Sequence, residues 1–391
     1  MQRRKEGRKE GRKEGSVCRL SATLSGAKTG ELFFEVAEKF GRYFAPERAD
    51  CFVAALLPQA ATDGTDIASR VPVSETLLFQ LNTFVAPVLA KLYGARQIKI
   101  DAPQIADNTE TAGAVGTGLT CGVDSLYTVA EYSKTPFPHK NLTHLCLFNV
   151  GSHDIAAEDA EEIEKFRIGL AERFCAENGF EFLHVNSNLH AFAPHYQQYF
   201  SVLNAATAMA LPRLFSSYYS SSGFAVSEFH VTATDLAHAE VFFLEMLSAG
   251  ALKFLSTGSE VSRLEKTKRL AEFPPAYNFL NVCNLHAHNC GVCIKCLRTL
   301  YALDILGALD RFASVFDLAD YRKNHARYVA ECRVRAVFAK DIFCKGMWPL
   351  LRKKYGLSWF HAVRESICFI RSRLKIYSFS YIRYRLRDAK H

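Results

Sequence analysis

The chain has 391 residues, of which 49% are hydrophobic, so it can bury a sizeable core and form more than one domain. No window contains the roughly 18 uninterrupted apolar residues that a membrane span needs, because Glu245 and Lys253 interrupt the best candidate, Val241–Leu255. The N-terminus lacks the apolar segment of a secretory signal, so we expect a cytoplasmic protein. Clustered cysteines in that reducing compartment bind metal more often than they form disulfides.

The net charge of +8 is unevenly distributed along the chain. Residues 1–14 hold seven Lys and Arg against three Asp and Glu, and residues 321–391 hold eighteen against four. The stretch between these ends is therefore acidic overall. An acidic body with basic ends indicates that the ends have partners of their own.

The first 110 residues carry no catalytic signature. Residues 1–15 repeat Arg-Lys-Glu-Gly three times, which predicts a disordered, solvated tail or a translation start assigned too early. Residues 16–110 are expected to form an N-terminal α/β extension. Its predicted elements are a helix over Leu32–Phe44, a buried strand over Asp50–Leu57, a polar loop over Pro58–Val73, a helix from Val73 to about Tyr93 and a strand over Arg96–Ile100.

Residues 111–310 alternate between apolar strand-like runs and amphipathic helical runs. This alternation predicts an α/β fold with a doubly wound parallel sheet, in which ligands bind at the carboxyl ends of the strands near the switch point. The predicted strands are Ala112–Leu119, His144–Val150, Phe180–Val185, Arg213–Tyr219 and Leu252–Thr257. The predicted helices are Ser125–Tyr132, Asp159–Asn178, Tyr196–Leu211 and Ala239–Ser248.

The loop after the first of these strands has the composition of an anion site. It runs from Thr117 to Ser125, and small residues there allow the backbone to approach an anion closely. The following helix directs its free N–H groups at the same point. Hydroxyls on Thr120 and Ser125 add donors, whereas Asp124 would act through Mg²⁺ or by shaping the loop.

Four cysteines near the end of this region have the spacing of a metal site. Cys283, Cys290, Cys293 and Cys296 form the pattern C-x6-C-x2-C-x2-C, with Gly291 in the tight turn. Four converging thiolates suit tetrahedral Zn²⁺, and a closed site of this kind is structural. An iron–sulfur cluster is the competing metal. His286 and His288 could replace a ligand but are expected to lie next to the ligands or to face solvent, and Lys295 and Arg298 would offset the thiolate charge.

These parts resemble, in their order, the 7-cyano-7-deazaguanine synthases of queuosine biosynthesis, which have a PP-loop (HUP-like) fold. Thr120–Ser125 resembles the PP-loop motif Ser-Gly-Gly-x-Asp-Ser, with Thr120 for the first serine and Cys121 for the first glycine. Ser262–Lys266 resembles the family's middle motif, and Asn289–Arg298 its zinc module, here placed at 283–296. The resemblance covers roughly Ala112 to Leu306. It implies a domain over 111–310 that binds ATP, Mg²⁺ and Zn²⁺.

The resemblance further implies an adenylating ligase or nitrile synthase. A carboxylate or amide substrate attacks the α-phosphate of ATP, and AMP and pyrophosphate are released. Asp124 and Ser125 would be catalytic, and the nucleotide would be held by Thr120, Cys121, Gly122, Val123, Asp124, Ser125, Asn149, Arg263 and Lys266. Further contacts are expected from loop residues after the second and third strands, namely Gly151, Ser152, His153, Asp154, Asn186 and Ser187. A tRNA-modifying PP-loop enzyme and a non-catalytic nucleotide-binding scaffold remain alternatives.

Residues 311–391 are expected to form a helical basic C-terminal region. From Leu357 onward there is no Gly or Pro, and apolar residues recur at spacings of three and four. That pattern predicts one amphipathic helix, with a stripe formed by Trp359, Val363, Ile367, Ile370, Leu374, Tyr377, Tyr381 and Tyr384. It could dock on the acidic body, an RNA, a partner protein or an anionic membrane surface. The sequence also leaves a homodimer open.

Overall fold

The computed structural model describes residues 2–7, 16–151, 160–367 and 369–370. The chain divides into two compact units, Met1–Phe279 and Leu280–His391. Within the described residues the first unit contains twelve strands. They are β1 (Gln2–Gly7), β2 (Ser16–Leu24), β3 (Gly30–Ala37), β4 (Ile67–Ala68), β5 (Val73–Ser74), β6 (Ile100–Asp101), β7 (Gln104–Ile105), β8 (Ala114–Gly118), β9 (His144–Phe148), β10 (Glu181–Ser187), β11 (Phe215–Ser221) and β12 (Lys253–Thr257).

Eight of the described strands form one mixed sheet in the order β1-β2-β3-β10-β9-β8-β11-β12. The last five strands in that order are all parallel to one another. Strands β1 to β3 form an antiparallel meander, and β3 joins β10 antiparallel. Within the parallel part, β9 and β10 follow β8 on one side, and β11 and β12 lie on the other side of β8. The switch point therefore lies between β8 and β11, where open α/β sheets bind ligands.

The helices of the first unit cover the sheet. They are α1 (Asp50–Asp63), α2 (Glu75–Gln80), α3 (Ala86–Tyr93), α4 (Val123–Tyr132), α5 (Ala160–Asn178), α6 (Leu189–Phe192), α7 (Tyr196–Met209), α8 (Glu240–Leu247) and α9 (Arg263–Ala271). Successive residues of a strand point to opposite faces. Tyr218 of β11 stacks on Phe148, in a core shared with α1, α7 and α8. Its neighbour Tyr219 contacts Tyr132 of α4. Helices therefore pack on both faces, and all five strands predicted for residues 111–310 are present.

Four predictions for the N-terminal region were wrong. The loop expected to begin at Pro58 is helical as far as Asp63, and only Ile100 of the strand expected over Arg96–Ile100 lies in a strand. Leu32–Phe44 is not a helix, because β3 extends to Ala37 and a short 3₁₀ turn, Glu38–Tyr43, follows. Asp50–Leu57 is not a strand but the first half of α1. The helix predicted from Val73 to Tyr93 is found as α2, a π turn over Leu81–Val85, and α3.

The charged repeat also differs from its expectation of disorder. Gln2–Gly7 pair in antiparallel register with β2 and form the edge of the sheet. Charged residues are compatible with an edge strand, whose outer side remains open to water. Residues 8–15 lie outside the described part of the chain.

The second unit is helical where it is described. It contains α10 (Ile294–Ile305), α11 (Leu318–Lys323), α12 (His325–Val337) and α13 (Ile342–Tyr355), followed by helical residues at 359–367 and 369–370. A buried carboxylate, Asp304 at the end of α10, accepts hydrogen bonds from Tyr321 and His325 and ties α10 to α11 and α12. The C-terminal stripe positions Leu374, Tyr377, Tyr381 and Tyr384 lie outside the described residues.

No helix within the described ranges combines the length and the apolar character needed to cross a membrane.

Candidate phosphate loop and metal centre

The loop between β8 and α4 turns sharply at Cys121. This residue has φ +55°, the left-handed conformation that costs a non-glycine residue roughly 1–2 kcal/mol. Its side chain is buried, and burial together with the nearby Cys175 thiol raises its pKa above the usual range. Gly122 follows as the N-cap of α4. The strained turn therefore directs the first turn of α4 toward the carboxyl edge of the sheet.

The N-terminus of α4 keeps backbone donors available. No side chain caps it, and the first N–H groups of a helix have no partner within the helix. The buried Ser125 donates its hydroxyl to the Gly122 carbonyl at 3.2 Å and lies 3.4 Å from the Thr120 hydroxyl. Ser125 thus closes the loop on itself, while Thr120 remains exposed. The arrangement suits a bound anion.

Three predicted residues, Asp124, Arg263 and Lys266, meet at this helix start. One carboxylate oxygen of Asp124 accepts from Arg263 Nη1, and the other lies 3.3 Å from Lys266 Nζ. Both cations come from the first turn of α9, where Ser262 and Glu265 form a capping box that sets the start of the helix. Lys266 is buried and Arg263 is largely so. They are therefore not an exposed basic helix face.

The charge of Asp124 is maintained by these two neighbours. Burial acts to raise the pKa of its carboxyl, but the Arg263 and Lys266 charges and hydrogen bonds outweigh burial and hold the pKa below its usual range. Both carboxylate oxygens are occupied by cations. In this arrangement Asp124 positions two positive groups at the N-terminus of α4.

The structure adds residues that the sequence did not indicate. Lys266 Nζ donates to the Ser222 carbonyl at 2.6 Å, directly after β11. Beyond it lies Glu240, the first residue of α8, whose carboxylate accepts from Ser256 at 2.6 Å and Ser201 at 3.2 Å. Glu240 is 2% exposed. A buried polar network thus continues from Asp124 through Lys266 to the opposite side of β11 and β12.

The pH dependence of the free energy of unfolding should reveal the raised pKa of Glu240. Burial raises its pKa, although three serine hydroxyls and Lys266 partly oppose the shift. The pKa of Glu240 in the folded chain lies above its unfolded value of about 4.3, so between these two pKa values the folded chain binds more protons than the unfolded chain. The free energy of unfolding therefore falls as the pH rises from the lower pKa to the higher one. We expect Glu240→Gln to gain stability relative to the wild type from about pH 4.3 upward, measured by urea unfolding. A constant difference at all pH values would contradict this assignment.

Asn149 lies at the same edge of the sheet but in a different set of contacts. Its amide donates to Glu164 at 2.9 Å and to Asn186 at 3.0 Å, and Asn186 donates in turn to Glu35. Ser187 donates to the Asn149 carbonyl at 2.7 Å. The structure therefore brings together Asn149, Asn186 and Ser187, although Asn186 and Ser187 are the last residues of β10 and not part of the loop that follows it. The predicted Ser152, His153 and Asp154 lie outside the described residues, and Gly151 precedes them.

The four cysteines of the second unit converge on one point. Their sulfur atoms all lie within 4.8 Å of one another, with Cys283 to Cys293 at 3.9 Å and Cys290 to Cys296 at 4.0 Å. Four thiolates about 2.3 Å from a tetrahedral Zn²⁺ would be separated by about 3.8 Å. The residues present therefore fit a metal such as zinc, as predicted.

Backbone contacts hold the sulfurs in this geometry. The Cys293 N–H points at the Cys290 sulfur at 3.3 Å, and the Cys296 N–H at the Cys293 sulfur at 3.5 Å. Gly291 adopts φ +73° in the turn between them. Asn289 anchors the loop by donating to the Leu280 and Val315 carbonyls and accepting from the Val282 N–H at 2.8 Å. Asn289 was not singled out from the sequence.

The histidines and the arginine near the cysteines lie outside the ligand set. His286 and His288 are exposed, in keeping with the expectation that they face solvent. Arg298 does not serve the thiolates, because its guanidinium pairs with the buried Asp341 carboxylate and lies 4.5 Å from the Phe343 ring centroid. Its position on α10, one turn beyond Cys293, directs it to α13 instead.

No protein-family model, curated protein or solved structure matches this chain.

Proposed function

We propose that the first unit binds the phosphates of ATP at the 117–125 loop and activates a carboxylate or amide by adenylation, as in the 7-cyano-7-deazaguanine synthases that the sequence resembles. The observation that carries the proposal is the meeting of Arg263 and Lys266 with Asp124 at the N-terminus of α4. This point lies beside the β8–β11 switch, where a PP-loop would hold pyrophosphate.

The conformation of Cys121 supports the resemblance of the loop. The family has a glycine at this position, and Cys121 holds the left-handed φ that glycine adopts without strain. Its thiol is buried. A side chain larger than hydrogen is therefore accommodated on the inner side of the loop, and the departure from the motif leaves the N–H groups of α4 accessible.

The chemistry assigned to this chain's residues is positioning and charge stabilisation. An oxygen of the substrate forms a bond to the α-phosphorus, and the bond from that phosphorus to the bridging oxygen breaks as pyrophosphate leaves. Arg263, Lys266 and the α4 N–H groups stabilise the charge that develops on pyrophosphate. With a carboxylate substrate, ammonia then attacks the activated carbon, AMP departs and a proton is released, which leaves an amide. With an amide substrate, the activated group loses AMP and an N–H proton, which leaves a nitrile.

A phosphate ligand would compete with the Asp124 carboxylate for Arg263 and Lys266. In the proposed cycle Asp124 preorganises both cations before ATP arrives and is the candidate to hold Mg²⁺ once phosphate has taken them. The thiolation alternative receives less support, because burial raises the Cys121 pKa and a nucleophilic cysteine needs an accessible thiolate. We further propose that zinc occupies the four-cysteine site in a structural role.

The test is nucleotide turnover by the zinc-loaded full chain. ATP, Mg²⁺, ammonium and 7-carboxy-7-deazaguanine are supplied, and AMP and pyrophosphate are measured with Asp124→Ala as the control. We expect release of both products that depends on the deazaguanine and falls at least about a hundredfold in Asp124→Ala. ATP binding without turnover would reject this substrate, and absence of ATP binding would favour the scaffold alternative.

A further inference from the structure

The end of the described chain presents apolar side chains to solvent. In the helical residues 359–367 and 369–370, Trp359 is 70% exposed, Phe360 74%, Val363 56%, Ile367 44% and Ile370 52%. Trp359, Val363, Ile367 and Ile370 follow the spacing of one helix face. We name Trp359, Phe360, Val363, Ile367 and Ile370 the apolar stripe.

The inner face of the same helix is anchored by polar groups. Glu365 is 8% exposed and accepts from Arg327 Nε of α12 at 3.2 Å, and Ala362 beside it is 2% exposed. A helix of a globular protein normally buries its apolar face and exposes its charges. Here the larger apolar side chains lie outward instead, and the buried face carries Ala362 and the carboxylate of Glu365.

Basic residues precede and follow the stripe along the sequence. Arg364 lies on the same helix with its side chain 53% exposed, and α13 ends in Arg352, Lys353 and Lys354. The sequence from 371 to 391 adds seven Lys and Arg against one Asp. The stripe offers no hydrogen-bonding side chain except the indole of Trp359, so it lacks the polar groups that read nucleic acid bases. Its chemistry matches the acyl boundary of a bilayer, and the basic residues match anionic headgroups.

We propose that the helical residues 359–367 and 369–370 dock the second unit on an anionic membrane surface. The apolar stripe enters the boundary between headgroups and acyl chains, and Arg364 with Arg352 and Lys353 of α13 contacts the lipid phosphates. This proposal is independent of the ATP site. It assigns a peripheral contact to the helix and no passage across the bilayer.

The two tryptophans of the chain, Trp348 and Trp359, allow a direct test. In the full-length Trp348→Phe variant, Trp359 is the only tryptophan, so tryptophan emission reports on it alone. Vesicles of phosphatidylcholine alone are compared with equimolar phosphatidylcholine and phosphatidylglycerol. We expect a blue shift of Trp359 emission and co-sedimentation with the anionic vesicles, both weakened by added salt.

Substitutions in the chain that retains both tryptophans make the co-sedimentation test specific. Trp359→Ser and Ile367→Ser should each weaken sedimentation with anionic vesicles by about tenfold or more. Phe137→Ser is the matched control, because Phe137 is 69% exposed but belongs to the first unit. The proposal is overturned if anionic vesicles are not bound, if the stripe substitutions leave binding unchanged, or if the stripe instead mediates self-association or RNA binding.

Discussion

Replacing Cys296 with serine is expected to release the metal and unfold the second unit. Cys296 is buried, and its sulfur lies 4.0 Å from that of Cys290. A hydroxyl in its place is a poor ligand for zinc, and structural zinc contributes apparent binding energies of about 10–16 kcal/mol in small zinc-finger peptides. Because that binding energy is comparable to the whole stability of a typical domain, about 5–15 kcal/mol, loss of the ion should abolish the cooperative unfolding transition of the second unit.

The measurement combines metal analysis with limited proteolysis. We expect one zinc per wild-type chain, none in Cys296→Ser, and rapid cleavage of the variant after residue 280. Cys332→Ala is the control, because Cys332 is buried in the same unit but belongs to α12 rather than to the cluster. A zinc-free Cys296→Ser chain whose second unit resists protease as well as the wild type would show that the cluster is not structural.

The second large effect is expected for Lys266→Met in the first unit. The variant removes a buried ammonium that contacts both Asp124 and the Ser222 carbonyl, and it leaves Glu240 without its nearest cation. Removing one partner of a buried ion pair costs about 3–5 kcal/mol. The lower end of this range is expected, because Asp124 keeps Arg263 and is partly solvated. Urea unfolding of the zinc-loaded chain measures the loss.

Two further variants separate charge from packing at Lys266. Lys268 lies on the same helix but is exposed. The Lys268→Met variant should therefore change the free energy of unfolding by less than about 0.5 kcal/mol. In the double variant with Glu240→Gln, part of the stability lost by Lys266→Met should return, because no uncompensated carboxylate then remains buried. If the two single effects simply add, the Lys266–Glu240 coupling inferred from the structure is absent.

The parallel half of the sheet was predictable because its strands are short apolar runs separated by amphipathic helices. Each of the five runs from Ala112 to Thr257 is bounded by polar or glycine-containing segments, which fixes its length. The order of the strands was not predicted, because β11 returns to the side of β8 instead of continuing beyond β10. The loop after β8 could be located for the same reason, since it joins a buried strand to a helix.

The N-terminal region was mispredicted because its periodicity is ambiguous. Asp50–Leu57 is buried along its length, and a run of that kind cannot be assigned to strand or helix by pattern alone. Pro58 suggested an end to the element, yet it lies inside α1. In Leu32–Phe44 the alternation of β3 is hidden by adjacent buried residues, because the strand is covered on both faces.

The candidate sites differ in how far local sequence reveals them. The four cysteines lie within fourteen residues, so their spacing alone identifies the cluster. Arg263 and Lys266 were found through the resemblance, but their contact with Asp124 spans about 140 residues and required the fold. Of Glu240 and Ser222, only Glu240 had a feature visible in the sequence, because it is an acidic residue at the start of the apolar helix α8. Their convergence on Lys266 depends on the β8–β11 switch and could not be seen in the chain order.

The central claim, that Arg263 and Lys266 form a phosphate site with the N-terminus of α4, is tested most directly by calorimetric titration with α,β-methylene-ATP. The zinc-loaded wild type is compared with Arg263→Gln and with Arg269→Gln, whose arginine lies on the same helix but pairs with Glu131. We predict saturable wild-type binding, affinity at least about tenfold weaker in Arg263→Gln, and affinity within about twofold of wild type in Arg269→Gln. Absence of binding to the folded wild type, or equal affinities in all three proteins, would contradict the account.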